Sequence, residues 1–432
     1  MTTVALSTLG CKTNQFESAA MHEALAKAGY TLVPFADAAD IYVVNTCTVT
    51  AKADAESRRI VRRAARTNPQ ATIVVTGCYA QVAVDAVKDL PGVRLVLGND
   101  EKKDLVSLLQ GIGPVQQVRV GDIMSRERVA HLPLETFAEH TRAFLQIQNG
   151  CEAYCSYCIV PFARGRSRSV LPDDILAGVD RFLAGGFREI VLTGIHLGAY
   201  GLDLHPPTSL RELVATIIAS HDVPRLRIGS VEPQEIDPQL IDLLATHPAI
   251  CPHLHIPLQA GSDGVLARMN RRYTTAEFAE LLARITSRLP QVTIGLDLIA
   301  GFPGETDAEF QEGFDFISRL PVAYCHVFPY SPRPGTAAAD MPHQVPPAVV
   351  RDRAAQLRQL GEEKGRQWRE QHLHQTLQVL GQELLAGGLV RGLARNYLTV
   401  IYPGGNELLN REVAIQIKGF EGENLRGVVV SG

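Results

Sequence analysis

Long apolar runs are absent from this sequence. No stretch approaches the roughly 20 consecutive apolar residues that a bilayer-crossing helix needs, which argues against a helical membrane span. A large excess of one charge is also missing: 42 lysines and arginines face 46 aspartates and glutamates, for a net charge of −4. Nucleic-acid binding through an overall basic field is excluded, so any such contact has to come from local basic patches. The opening residues Met1-Thr-Thr-Val-Ala-Leu lack the charged region and apolar stretch of a secretory leader and read as a first strand. A cytoplasmic location is expected, where thiols stay reduced. Cysteines are few, eight in 432 residues, and in that compartment they point to metal or redox chemistry rather than to a disulfide framework. What is present is ordinary for a globular protein, with 46% hydrophobic and 20% charged residues. The length predicts two to four domains.

Residues 3–110 alternate short apolar strands with helical stretches. Strands are expected at Val4–Ser7, Ile41–Asn45, Thr72–Thr76 and Val93–Gly98, with helices over Gln15–Ala28 and Ala55–Thr67. This is a small parallel α/β domain, bounded here at residues 1–115. Residues 116–136 read as a linker. From 137 to 367 a longer alternation begins, with six candidate strands starting at Phe144, Glu189, Arg225, Leu254, Thr293 and Ala323. Six βα repeats predict an open or partial barrel, closed by a long charged helix over 345–375. Residues 368–432 change to short apolar alternations broken by Gly387-Gly388 and Pro403-Gly404-Gly405, the pattern of a small all-β barrel.

The cysteines fall into two sets. Cys151, Cys155 and Cys158 follow the first barrel strand at its carboxyl end, where barrel active sites are built. Three closely spaced thiolates suit an iron–sulfur cluster or zinc. A structural zinc site wants four ligands, and no fourth cysteine or histidine lies nearby. Three ligands on a four-iron cluster leave one iron open. That iron can chelate S-adenosylmethionine, whose one-electron cleavage releases a 5′-deoxyadenosyl radical. Cys11, Cys47 and Cys78 each follow one of the first three N-terminal strands. The carboxyl ends of neighbouring parallel strands line one edge of a sheet, so these three thiols are expected to meet there; the competing reading is three scattered core cysteines. Cys251 and Cys325 fit neither set and read as small core hydrophobes.

Cys151-Glu-Ala-Tyr-Cys155-Ser-Tyr-Cys158 and the following Ile-Val-Pro-Phe-Ala-Arg-Gly-Arg-Ser-Arg-Ser resemble the radical S-adenosylmethionine methylthiotransferases. Thr8-Leu-Gly-Cys11-Lys-Thr-Asn14, Asn45-Thr-Cys47-Thr-Val-Thr50 and Thr76-Gly-Cys78 match that family's N-terminal domain, and the β tail resembles its TRAM domain. Among subfamilies, Gly-Cys-Lys-x-Asn and Asn-Thr-Cys-Thr-Val-Thr look most like the type acting on N6-threonylcarbamoyladenosine at position 37 of tRNA, beside the anticodon. The resemblance implies a second 4Fe-4S cluster on Cys11, Cys47 and Cys78, with two uses of S-adenosylmethionine, as methyl donor and as radical source. It also implies a tRNA anticodon loop as substrate, an electron donor such as flavodoxin or ferredoxin, and a sulfur source. Isopentenyl-modified adenine or a ribosomal-protein aspartate are alternative substrates within the family. A non-catalytic zinc- and RNA-binding protein is the reading from another class.

Candidates for holding S-adenosylmethionine are residues at the barrel strand ends: Thr193, Gly194, Ser230, Glu232, Gln259, Asp297 and Gly301. Each has turn or capping duty as the plainer alternative. For RNA, Arg58, Arg59, Arg62, Arg63 and Arg66 recur at helical spacing just after Cys47, and Arg164, Arg166 and Arg168 follow the radical triad. Tyr397, Tyr402 and Phe420 are the tail's candidates for base stacking or for core.

Overall fold

Apolar, β-branched-rich runs of five or six residues, connected by helices, build the N-terminal sheet. The computed structural model describes residues 1–135 and 141–430; the linker-to-core boundary read at 136–137 lies outside them. Six parallel strands lie in the order Thr31–Leu32, Thr3–Thr8, Ile41–Thr46, Thr72–Gly77, Val93–Leu97 and Gln117–Arg119. The two edge strands have only two and three residues, too few for a period-2 signal, so the sequence does not announce them. Gln117–Arg119 carries the sheet into the segment read as linker. The helix Ala51–Thr67 is started by Thr50, whose hydroxyl accepts from Ala53 N at 3.2 Å. It buries Val61 and Ala64 against the sheet and turns Arg59, Arg62, Arg63 and Arg66 outwards.

The central unit is a partial barrel of two parallel three-stranded sets. Arg142–Gln146, Glu189–Thr193 and Arg225–Ile228 form one; His253–His255, Thr293–Ala300 and Tyr324–Pro329 form the other. Single bridges, Leu226 to Ile250 and Ser230 to His255, join them. The intervening helices carry strong start signals, including capping boxes at Thr274/Glu277 and Thr306/Glu309. The helix Pro347–Glu370 closes the unit, and Trp368 Nε1 donates to Thr293 Oγ1 at 3.0 Å. The N-terminal unit packs across the gap between first and last strands. Its helix Lys12–Lys27 lies on Arg142–Gln146, and Asp54 pairs at 2.5 Å with Arg333, just past the last strand.

The tail is a closed five-stranded barrel: Thr376–Leu385, Leu389–Ala394, Thr399–Pro403, Asn424–Val429 and Glu412–Glu421 in spatial order. Leu389–Ala394 is the strand the sequence hides, because Gly392 breaks its alternation. A Cβ there would lie 2.5 Å from Val379 Cγ1, so close packing of neighbouring strands requires the glycine. Among the described residues, no helix is long and apolar enough to cross a membrane.

A buried charge cluster fastens the tail to the barrel floor. Glu189 accepts from Arg225 Nε at 2.8 Å and from Arg227 Nε at 2.7 Å. The same guanidinia reach the tail, Arg225 Nη2 donating to Leu393 O at 3.0 Å and Arg227 Nη1 to Arg395 O at 2.9 Å. Burial alone would raise the Glu189 carboxyl, but Arg227 and Arg225 outweigh it and hold it at about 2, below the ordinary 4.5. A depressed carboxylate stabilises the fold above its unfolded value and loses that contribution as pH falls towards its folded value. The gap corresponds to roughly 3 kcal/mol. Melting temperature should therefore fall between pH 4.5 and 2 more steeply in the wild type than in Glu189→Gln, which starts lower at pH 7. Parallel pH slopes for the two proteins would contradict this.

Candidate active site: two cysteine triads

The register of the N-terminal sheet sets the first triad. Thr8 pairs with Asn45, and Thr46 with Gly77, so Cys11, Cys47 and Cys78 emerge from adjacent strand ends at the carboxyl edge. Gly10 and Gly77 make the approach possible, with φ of +103° and +97°. A Cβ on Gly10 would stand 3.0 Å from Cys47 Sγ, and one on Gly77 would overlap the Thr46 backbone. Asn14 ties the loop down, donating to Thr46 O at 3.1 Å. Cys47 and Cys78 are buried and Cys11 is exposed. Burial, then the neighbouring Cys78 and Cys11, pushes the Cys47 thiol up to about 12.

The second triad lies on the loop between Gln148–Asn149 and the short helix Val160–Arg164. Cys151 N donates to Gly165 O at 3.0 Å. Burial, then Cys155, pushes the Cys158 thiol up to about 12. Thiols raised this far ionise only when a metal displaces the proton. The spacing within each triad distinguishes the candidate metals. Tetrahedral zinc with 2.3 Å bonds holds its sulfurs about 3.8 Å apart. Among the described residues, the one set of three ligand atoms all within 4.8 Å is His255, Asp297 and His326. Neither cysteine triad closes that tightly, so each fits separate irons of a cluster better than one shared ion.

A buried network joins the two triads. Arg164, 1% exposed, directs Nε to Cys78 Sγ at 3.3 Å and Nη1 to Asn149 Oδ1 at 3.2 Å, while pairing with Glu17 and Asn14. Lys102 completes the pairing of Glu17. Asn99 Nδ2 spans the same boundary, 2.6 Å from Ala163 O and 3.8 Å from Cys78 Sγ. Arg168, also buried, donates Nη1 to Arg128 O at 3.2 Å. Arg164 and Arg168 therefore leave the list of RNA contacts: their guanidinia are spent inside. Arg58 is engaged by Tyr79 and Arg59 by Glu56. Arg62, Arg63, Arg66 and Arg166 are exposed.

Beside Cys155 opens a cavity of about 490 Å³ lined by His196, Glu232, Glu235, Arg271 and Asn270 among others, within the size range of small-molecule sites. Arg271 Nη1 lies 3.4 Å from Cys155 Sγ and pairs with Glu232. His196 lies 3.5 Å from Cys151 Sγ and 2.6 Å from Glu235. Of the strand-end candidates, Glu232 alone lines this cavity. Thr193 is buried in its strand. Gly194 gives room to Gln148, whose Oε1 accepts from His196 N at 2.8 Å. Ser230 is exposed and bridges to His255. Gln259 sits in left-handed backbone, φ 69°, donating its N–H to Asp297 O at 2.8 Å. A Cβ on Gly301 would strike Val350 at 2.5 Å, so Gly301 serves the closing helix. Asp297 lies inside the barrel, 3.0 Å from His255 and 3.3 Å from His326. His196 and Glu235 went unread because a strand-end loop does not announce which side chain turns inwards.

Two family models match the chain: Uncharacterized protein family UPF0004 over residues 3–98 and Radical SAM superfamily over 145–317. Over 423 residues, 96% of this chain and 94% of the relative, it is 37% identical to the Bacillus subtilis threonylcarbamoyladenosine tRNA methylthiotransferase MtaB. The chain belongs to the MtaB-type radical S-adenosylmethionine methylthiotransferases. The Thermotoga maritima MtaB is 35% identical, with 92% of this chain and 91% of that one covered. A tRNA-2-methylthio-N(6)-dimethylallyladenosine synthase from Moorella thermoacetica is 32% identical, with 100% and 99% covered. Among solved structures, the radical S-adenosylmethionine methyltransferase TsrM from Kitasatospora setae superposes with a TM-score of 0.55 at 18% identity, covering 78% of this chain and 75% of that one, a likeness of fold. As a radical S-adenosylmethionine enzyme, this methylthiotransferase uses S-adenosylmethionine and a 4Fe-4S cluster.

Proposed function

We propose that the enzyme inserts a methylthio group at C2 of N6-threonylcarbamoyladenosine at position 37 of tRNA. The relatives named for that nucleoside support the substrate. The observation that carries the chemistry is the pair of cysteine triads, with Arg164 spanning from Cys78 to Asn149, two residues before Cys151. Cys151, Cys155 and Cys158 hold one 4Fe-4S cluster, and Cys11, Cys47 and Cys78 a second. When bound, the first cluster would supply one-electron reduction of S-adenosylmethionine and the second would supply sulfur chemistry beside the substrate.

The chain's own groups set the geometry around both. The cavity at Cys155 receives the adenosyl moiety, with Arg271 and Glu232 fixing its walls. Arg164 places a fixed positive charge 3.3 Å from Cys78 Sγ. Arg62, Arg63, Arg66 and Arg166 offer phosphate contacts on the exposed side. A loop purine is unpaired and splays into a buried site at little cost. A small electron-transfer protein such as flavodoxin or ferredoxin supplies the electron, and a separate donor supplies sulfur.

Nucleoside mass spectrometry of tRNA from a deletion strain tests the substrate. Loss of the methylthio group from threonylcarbamoyladenosine alone is expected. Its loss from isopentenyladenosine instead would overturn the assignment. Anaerobically purified protein should carry roughly eight irons per chain, two clusters of four; zinc without iron would overturn the cluster reading.

A further inference from the structure

Arg164 fastens the N-terminal unit at Cys78. Where Cys47 lies, a different piece of chain does the fastening. A strap over residues 330–338 leaves the last barrel strand, Tyr324–Pro329, and touches the loops of both triads. Arg333, in its middle, is buried. Its Nη2 donates to Thr48 Oγ1 at 2.8 Å and to Asp54 Oδ2 at 2.5 Å, and Thr48 Oγ1 donates in turn to Asp54 Oδ1 at 2.7 Å. Thr48 follows Cys47 in the chain, and Asp54 sits in the first turn of the helix Ala51–Thr67. The strap touches the start of that helix a second time, where Ala51 N donates to Ser331 Oγ at 2.9 Å. The other end of the strap reaches the radical triad. Ala338 N donates to Ser156 O at 2.8 Å, and Ser156 follows Cys155. Tyr157, the residue before Cys158, meets Phe302 edge-on with ring centroids 6.5 Å apart, and Phe302 meets Tyr330 edge-on at 5.6 Å. Between the two contacts Thr336 closes a turn, its N–H and hydroxyl donating to Arg333 O at 3.1 and 2.7 Å. That turn stiffens the piece of chain running from one triad to the other.

We infer that Arg333 is a positioning residue for methylthiolation: through the strap it holds the Cys47 side of the auxiliary triad in a fixed relation to the radical triad. This rests on the two-cluster reading above. Arg333 and Asp54 are spent on each other, so Arg333 acts through Thr48 and the helix start and not by touching substrate. A radical formed beside one triad becomes product only if the same base carbon also meets the sulfur chemistry of the other. The relation between the triads therefore decides the yield per radical, and a misplacement of about 1 Å costs on the order of a hundredfold. Arg164 and Arg333 hold different cysteines of the auxiliary triad. A unit held at one point can still pivot about it, so both fastenings are needed to fix its orientation.

The test uses the full chain with its clusters reconstituted, reductant, and an anticodon stem-loop RNA bearing threonylcarbamoyladenosine. Arg333→Met should form deoxyadenosine within about twofold of the wild-type rate, while methylthiolated product per deoxyadenosine falls about ten- to a hundredfold. Arg333→Lys keeps a cation for Asp54 and should recover part of that ratio. Pulsed electron paramagnetic resonance of the two reduced clusters reads the geometry without turnover. Their dipolar coupling should be narrowly distributed in the wild type, broadened in Arg333→Met and partly narrowed again in Arg333→Lys. Iron assay and circular dichroism check that clusters and fold remain. Should Arg333→Met lose either, Thr48→Val, which deletes only the hydroxyl, supplies the comparison and should move the ratio and the coupling in the same directions by less. Product and deoxyadenosine falling in parallel, or a ratio and coupling unchanged from wild type, overturns the inference while leaving eight irons and the two clusters intact. A wild type with roughly four irons per chain overturns the two-cluster reading and this inference with it.

Discussion

Cys155→Ala yields a folded protein that forms no 5′-deoxyadenosine, a loss well beyond the hundredfold or so that follows from disturbing a metal ligand's outer partners. The fold survives because Cys155 is half-buried on a loop, where its thiol meets Arg271 Nη1 at 3.4 Å. Iron should drop from roughly eight to roughly four per chain, with the remaining four held by Cys11, Cys47 and Cys78. Cys78→Ala is the mirror experiment. It should keep deoxyadenosine formation and lose the methylthiolated product. The measurements are iron assay and chromatographic quantitation of deoxyadenosine under reductant. Full deoxyadenosine formation by Cys155→Ala would place the radical chemistry elsewhere.

Arg164→Met should cost roughly 3 kcal/mol or more of stability, the scale for removing one member of a buried ion pair. The side chain is enclosed between units, and its loss strips Glu17 of one cation and Asn14 of a donor at once. The auxiliary cluster should become labile, since Cys78 loses its nearest positive charge. Thermal unfolding and limited proteolysis between the units measure the first effect, and iron loss on gel filtration the second. Arg166→Met is the control, because Arg166 is exposed two residues away. It should leave melting unchanged and lower the salt dependence of RNA binding by about one unit of slope. The reverse pattern, with Arg164→Met altering only the salt slope, would return Arg164 to the RNA surface.

The fold was largely legible because its signals are long and local. Runs such as Tyr42-Val-Val and Ile73-Val-Val are buried on both faces and read as strands without help. The edge strands Thr31–Leu32 and Gln117–Arg119 were illegible for the opposite reason, being too short to carry a period. The cysteines could be placed on one edge from strand order alone, since a parallel sheet fixes where its strands end. Charge was harder. Arg164 and Arg62 look alike in a sequence, yet one lies in the interior and the other faces solvent. What separates them is Glu17 and Lys102, 147 and 62 positions away from Arg164 in the chain, whose proximity only the folded arrangement reveals. The cavity residues His196 and Glu235 were missed likewise, because the wall they share with Arg271 is assembled from three separate loops.

The β tail has one more consequence. A small barrel appended after the catalytic unit looks interchangeable, a handle that can be swapped without touching the chemistry. Here its turn at Tyr397 reaches the bottom of the lumen, and Arg225 and Arg227 hold it there from the barrel side through Leu393 O and Arg395 O. The depth of the catalytic chamber is thus set by a domain that contributes no cysteine to either triad. A chimaera carrying a relative's tail would inherit a different chamber floor, so substrate choice should change even with both cysteine triads intact.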